Sequence, residues 1–274
     1  MTLHILTIVL DGMPFLPMQL ATFNRLQCDW HWHIVEGPAN NVNCTSWCKT
    51  QYPRISLDGS HEFINSLKNH PRCHVRWSNF WSGGKVEMCN AGIEHINAPG
   101  ILLQVDADEL WTADQIDDIV RLFHIFPKMD FAAFFCRYFV GTNIVTIGED
   151  CYGNNPGEWL RAWRFEPGMK FLKHEPPVLL PGLARGFKNL WNRESTRREG
   201  LVFEHWAYAF ESQLAYKEKF YGYSGAVAQW KQLQNHPGPW PVKLRDFLPW
   251  VDDRAQADLL HKPAHCRNPG DGQP

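Results

Sequence analysis

The chain has 274 residues, 44% hydrophobic and 20% charged, with a formal net charge of −2. That length suits one large domain or two small ones with a substantial core. The near-neutral balance removes any general electrostatic ground for binding nucleic acid or an anionic membrane, so a phosphate ligand would need a local site.

The 13 Trp residues suit core packing, and also the C–H faces of sugars. Eight cysteines, with Cys44 and Cys48 four apart, follow no zinc spacing. They read as reduced, mostly buried thiols, with a Cys44–Cys48 disulfide as the alternative. No run approaches the ~18 apolar residues of a membrane helix. His4 to Leu10 lacks a basic flank and a cleavage site, and runs directly into Asp11-Gly12. It predicts a first strand and a cytoplasmic protein, not a signal peptide.

Pro14 then suits a first helical turn, and Leu16, Leu20, Phe23 and Leu26 follow at helical spacing. Trp30 to Val35 predicts a second strand stopped by Glu36-Gly37-Pro38, and residues 39–60 a loop. His61 to Lys68 reads as a helix and His74 to Trp77 as a third strand. Val86, Cys89, Ile93 and Ile96 form one helical stripe, broken by Pro99-Gly100. Ile101 to Val105 is a short continuous apolar run, the pattern of a strand buried on both faces, and it delivers Asp106-Ala107-Asp108-Glu109. Thr112 to Gln115 is a capping box, followed by a helix through Phe123.

Beyond residue 130, Phe131 to Val140 reads as a strand and 148–157 as a Gly/Asn/Pro-rich loop. Glu158 to Phe165 predicts another strand, Arg193 to Glu199 a solvated charge run, and Glu211 to Tyr223 a helix. The last 15 or so residues read as a frayed tail. Alternating strands and helices predict an α/β fold with a mostly parallel sheet and right-handed crossovers. Ligands of such sheets bind beyond the carboxyl ends of the strands, where Asp11, Glu36 and Asp106 all fall.

Asp106 and Asp108, two apart, would share one face of an extended strand and repel each other. A hard divalent cation with oxygen ligands is the natural partner, and such ions keep positions open for phosphate oxygens.

Gly84-Lys85 and Asn90-Ala91-Gly92-Ile93, followed by Ile101 to Asp108, resemble the signature of family 2 glycosyltransferases with the GT-A fold. The resemblance covers residues 3–125 well and 158–180 in part. It implies a single GT-A-type, Rossmann-like domain with a C-terminal helical and loop extension. Residues 1–125 would be the donor half, 126–260 the acceptor half and 261–274 a tail.

By that resemblance, Asp106 faces ribose and metal, Asp108 binds Mn²⁺ or Mg²⁺, and Leu10, Asp11 and Glu36 line the base and ribose pocket. Lys85 approaches the diphosphate of a nucleotide sugar, with UDP the implied nucleotide. Two departures stand out: Glu36-Gly37-Pro38 replaces the family's acidic stretch after the second strand, and Asp11 replaces a frequent Asn. Arg161 to Phe165 and His174-Glu175 resemble the family's Arg-x-x-Arg … His-Glu element. His174 is therefore the third-ligand candidate, with His205 its rival.

An inverting hexosyl transfer to a glycan, lipid-linked or protein acceptor needs a general base. Glu158, after the Gly/Pro-rich loop, ranks first and Glu175 second. Arg161 and Arg164 would contact phosphate or pair with acids, and Trp111 and Trp159 would be sugar platforms or core. The rival readings are a nucleotidyltransferase, for which residues 10–17 lack a phosphate loop, and a non-catalytic sugar-binding protein.

Overall fold

A computed structural model describes residues 1–42, 54–147, 159–180, 189–251 and 254–260. Glu158, the loop 148–157, Cys44, Cys48 and the tail 261–274 lie outside the described residues.

The first half alternates as expected: β1 (Thr2–Val9), α1 (Phe15–Phe23), β2 (Trp30–Glu36), α2 (Ser60–Ser66), β3 (Cys73–Trp77), α3 (Gly84–Ile93), β4 (Gly100–Gln104), β5 (Glu109–Leu110) and α4 (Ala113–Ile125). The second half is richer in strands: β6 (Phe131–Ala133), β7 (Phe135–Tyr138), β8 (Ile144–Ile147), β9 (Leu160–Phe165), β10 (Lys170–His174), β11 (Pro177–Leu180) and β12 (Leu190–Trp191). It closes with α5 (Arg193–Arg198), β13 (Val202–His205), α6 (Glu211–Phe220), α7 (Ala226–Gln234), β14 (Val242–Lys243) and β15 (Gln256–Leu259).

The central sheet runs β12-β6-β9-β4-β1-β2-β3. Its β4-β1-β2-β3 half is parallel throughout, β12 is parallel to β6, and β9 runs antiparallel to both its neighbours. The fold is thus mixed α/β, with a mostly parallel sheet flanked by helices. Every residue of β4 is buried, as its continuous apolar run predicts.

Side-chain alternation sorts the two faces. Leu3, Ile5, Trp32, Ile34, Ile101 and Leu103 pack with Leu16 and Phe23 of α1, Ile64 of α2 and Ile116 and Ile119 of α4. Leu6, Val35 and Leu102 point the other way, onto Met88, Cys89 and Ile93 of α3. Gly92 makes that approach close: a Cβ there would lie 2.3 Å from Leu6 Cδ1. The capping box on α4 forms, with Gln115 N donating to Thr112 Oγ1 at 3.2 Å and Thr112 N to Gln115 Oε1 at 3.0 Å.

Two expectations change. Phe131 to Val140 is not one strand: β6 joins the central sheet, while β7 leaves it for a small β5-β13-β7 sheet. Almost every residue from 131 to 140 is buried, so the apolar run hides the point of departure. Asp106 to Asp108 also lie past the end of β4, in a turn closed by Glu109 N donating to Asp106 O at 3.0 Å. Strand alternation therefore does not orient the two carboxylates. Among the described residues, no helix is long and apolar enough to cross a membrane.

Candidate functional site

A cleft of about 830 Å³ opens at the carboxyl ends of the parallel strands. It brings together Leu10, Asp11, Lys85, Asp106, Asp108, His174, Glu175 and His205. Each arrives for a local reason. Asp11 and Asp106 follow β1 and β4, Lys85 opens α3, and His174 ends β10. Asn90 of α3 clamps that strand, its Nδ2 donating to Phe171 O at 3.0 Å and its Oδ1 accepting from Phe171 N at 2.8 Å. His205 arrives on β13, paired between Glu109 of β5 and Tyr138 of β7.

The Asp106–Glu109 turn is built around buried Arg161. Its guanidinium donates to Glu109 Oε1 at 2.7 Å through Nη2 and at 3.0 Å through Nε, and to Asp106 Oδ2 at 2.9 Å. Glu109 is fully buried, and its Oε2 also accepts from Asp106 N at 3.2 Å. Gln19 of α1 completes the frame: its amide donates to Asp106 O and Glu109 O, both at 2.9 Å, and to Ala107 O at 3.3 Å. Arg161 is thus the partner of acids, the second of its two expected roles, and Arg164 likewise turns to backbone, donating to Phe123 O and Met129 O.

The electrostatics follow from this frame. Burial disfavours the charge on Asp106, but Arg161, His174 and the Gln104 amide outweigh it and hold the carboxyl below its usual range. Burial likewise opposes charge on Asp108, and His205 outweighs it, with His205 Nε2 3.4 Å from Asp108 Oδ1. Burial pushes Glu109 up, to about 7, even against the guanidinium. The mutual repulsion of Asp106 and Asp108 is thus offset by two separate protein partners.

Glu175 is drawn far below the usual carboxylate range, first by Lys85 and then by His174. Its Oε1 accepts from Lys85 Nζ at 2.7 Å. Two buried ring nitrogens in the cleft, His174 Nδ1 and His205 Nδ1, make no close hydrogen bond among the described residues, and His174 Nδ1 stands 3.4 Å from Glu175 Oε1.

Some expected residues sit elsewhere. Glu36 is fully buried and does not line the cleft. Its Oε1 accepts from Ser56 N at 3.2 Å and its Oε2 lies 2.6 Å from His61 Nδ1. It reaches the cleft only indirectly, because Ser56 Oγ accepts from Asp11 N at 3.0 Å. Asp11 itself is held by Arg54 and by Leu57 N, the latter at 2.8 Å. Trp111 is core, stacked on Phe203 at 4.7 Å. Trp159 does line the cleft, edge-on to His205 at 4.9 Å.

Gln19, Glu109, Tyr138, Lys217 and Trp250 were not foreseen as parts of the site. Gln104, the polar exception in an apolar strand, and Glu109, the acid appended to the motif, carried the available signals. The others come from distant segments with no local pattern.

No protein-family model and no curated protein sequence matches the chain. Among solved structures, TarS from S. aureus in complex with UDP-GlcNAc is similar over 60% of this chain and 45% of its own, with 11% identity and a TM-score of 0.43. A longer TarS structure matches over 60% of this chain and 28% of its own, with 11% identity and a TM-score of 0.42. The chain therefore spans less than half the length of these TarS structures. The mannosyltransferase PcManGT from Pyrobaculum calidifontis, in complex with GDP-Man and Mn²⁺, is similar over 90% of this chain and 67% of its own, with 12% identity and a TM-score of 0.45. Likeness at this level describes the course of the chain and says nothing of its chemistry.

Proposed function

We propose that the chain is a metal-dependent glycosyltransferase that moves a hexosyl group from a nucleoside diphosphate sugar to an acceptor hydroxyl, with inversion. The observation that carries this reading is the convergence, in one cleft, of two carboxylates held ionised and two imidazoles.

The donor types suit a divalent ion. The ring nitrogens nearest the motif are His205 Nε2, 3.4 Å from Asp108 Oδ1, and His174 Nε2, which shares the Gln104 amide with Asp106. Among the described residues the ligand atoms of Asp106, Asp108 and His174 are not gathered as closely as one ion requires, so these side chains would have to close on it. The oxygens of Asp106 keep a second lone pair after accepting from Arg161 and Gln104. Asp106, Asp108 and His174 are the proposed ligands, with His205, already against Asp108, the alternative donor. Mixed oxygen and imidazole ligation suits Mn²⁺ better than Mg²⁺. When bound, the ion would neutralise charge on the diphosphate leaving group.

The remaining roles belong to the chain. Lys85 stands at the head of α3 to meet the diphosphate, and Glu175 fixes its ammonium group. Glu175, ion-paired with Lys85 at 2.7 Å, is assigned to position that ammonium group, and Glu158, which precedes Trp159 in the sequence, is assigned the base. Leu10 and Asp11 border the nucleoside. Trp250 and Tyr223, stacked at 4.4 Å on the cleft wall, offer an aromatic face to a glycan, lipid-linked or protein acceptor. UDP is the nucleotide that the family resemblance implies.

Donor turnover tests the reading. Nucleotide sugars incubated with the chain and Mn²⁺ should slowly release nucleoside diphosphate, and chelation should stop it. A sugar-binding module would release none, and a nucleotidyltransferase would instead form pyrophosphate from a nucleoside triphosphate and a sugar phosphate.

A further inference from the structure

The other end of the sheet carries a different chemistry. Five histidines meet there, on the face covered by α3: His4 of β1, His31 and His33 of β2, His74 of β3, and His95 just past the end of α3. The strand register sets them side by side, His4 opposite His31 and His33 opposite His74. These positions lie near the amino ends of parallel strands, so the cluster is remote from the cleft at their carboxyl ends.

One ring nitrogen from each of His33, His74 and His95 lies within 4.8 Å of the other two. His33 Nδ1 and His95 Nε2 are 3.0 Å apart. Two nitrogens on one tetrahedral zinc, each about 2.0–2.1 Å from the metal, would be about 3.3 Å apart. His33 and His95 therefore already stand at nearly the spacing of two ligands on one ion, with a nitrogen of His74 within 4.8 Å of both.

For His33 and His74 the surroundings match what metal-bound imidazoles require. The outer nitrogen of a ligating histidine is usually held by a hydrogen bond. His33 Nε2 is 3.1 Å from His4 Nδ1, and His74 Nε2 is 3.1 Å from His31 Nδ1. Buried His95 Nδ1 and His4 Nε2 have no partner among the described residues. Gly100 makes room for the His4 ring, since a Cβ there would lie 2.9 Å from its Cδ2. The charged groups nearby are Asp29, Glu94 and Arg76, and Arg76 Nη1 pairs with Glu94 Oε1 at 2.5 Å.

We propose that His33, His74 and His95 form a metal site of their own, taking a zinc-like divalent transition ion that ties β2 and β3 to the end of α3. Imidazole donors without carboxylates select such an ion over Mg²⁺ or Ca²⁺. The site does not depend on the reading of the cleft.

Co²⁺ titrated into the untagged full chain tests it, because a tetrahedral cobalt site absorbs in the visible. The expected result is a saturable band without thiolate charge transfer, displaced by Zn²⁺. It should weaken at least about tenfold in His74→Gln/His95→Gln, whose two residues are only partly buried. The band should persist in Asp108→Ala. In the unaltered chain, Zn²⁺ but not Mg²⁺ should raise the thermal midpoint, which holds the test open should the double variant fail to fold. Absence of both the cobalt band and the zinc-induced rise would overturn the proposal. So would thiolate charge transfer, a band unchanged in the double variant, or one lost in Asp108→Ala.

Discussion

Arg161 shows how much of the site rests on one side chain. Its guanidinium holds the carboxylates of both Glu109 and Asp106 from a position only 3% exposed. Removing one member of a buried charged network leaves the others unpaired, at a cost of about 3–5 kcal/mol. Arg161→Ala should lose stability of that order in urea denaturation; a loss under about 1 kcal/mol would show that water replaces the guanidinium. The cysteines give a second check. Burial, with help from Asp117, pushes the Cys28 thiol up to about 12, and burial pushes Cys73 to about 11. Since the thiolate is the reactive form, raising a pKa slows alkylation. Peptide-resolved alkylation of the native chain at pH 8 should leave both unmodified, and rapid labelling of either would contradict the burial seen here. Asp106, Asp108 and His174 could be picked out of the sequence because a short motif followed an apolar strand and a His-Glu pair lay downstream. Gln19 could not, since it sits beside the apolar stripe of α1 like any solvent-facing glutamine.

At the scale of elements, the junction after β2 fixes how the chain leaves the sheet. Gly37 has φ +136°, and a Cβ there would lie 2.2 Å from the backbone oxygen of Ser78. Neither the conformation nor the space suits a side chain. Gly37→Ala should therefore cost more than about 1 kcal/mol, read as a lowered midpoint in thermal unfolding; an unchanged midpoint would mean that the 78–81 turn moves aside freely. Elements of the first half were legible because each buries a periodic stripe or a continuous run against neighbours close in sequence. The split of residues 131–140 was not, because aromatic residues face the core on both sides of the break at Phe134. The β10–β11 hairpin was not legible either: Leu172 is exposed, the register shifts between Phe171 and Lys173 so that no clean alternation shows, and the hairpin is placed by Asn90, far away in sequence.

For the whole molecule, α3 links the two ends of the sheet. Its head carries Lys85 into the cleft, and His95 follows its tail into the histidine cluster. The alternation of strands and helices was enough to place ligands beyond the carboxyl ends of the strands. The histidine cluster escaped sequence reading because its members come from four separate segments and meet only through strand register. The same long-range pairing explains why His205 was legible only as a rival ligand: β13 reaches Asp108 by pairing with β5 and β7.

The central claim is that Asp106-Ala107-Asp108 is a metal and diphosphate site rather than part of the core. Calorimetric titration of UDP into the chain and into Asp108→Ala, with and without Mn²⁺, tests it most directly. Mn²⁺ should tighten UDP binding to the unaltered chain by about tenfold or more, equivalent to about 1.4 kcal/mol. Asp108→Ala, with an unchanged circular dichroism spectrum, should lose that dependence. Undiminished Mn²⁺-dependent affinity in the folded variant would contradict the account.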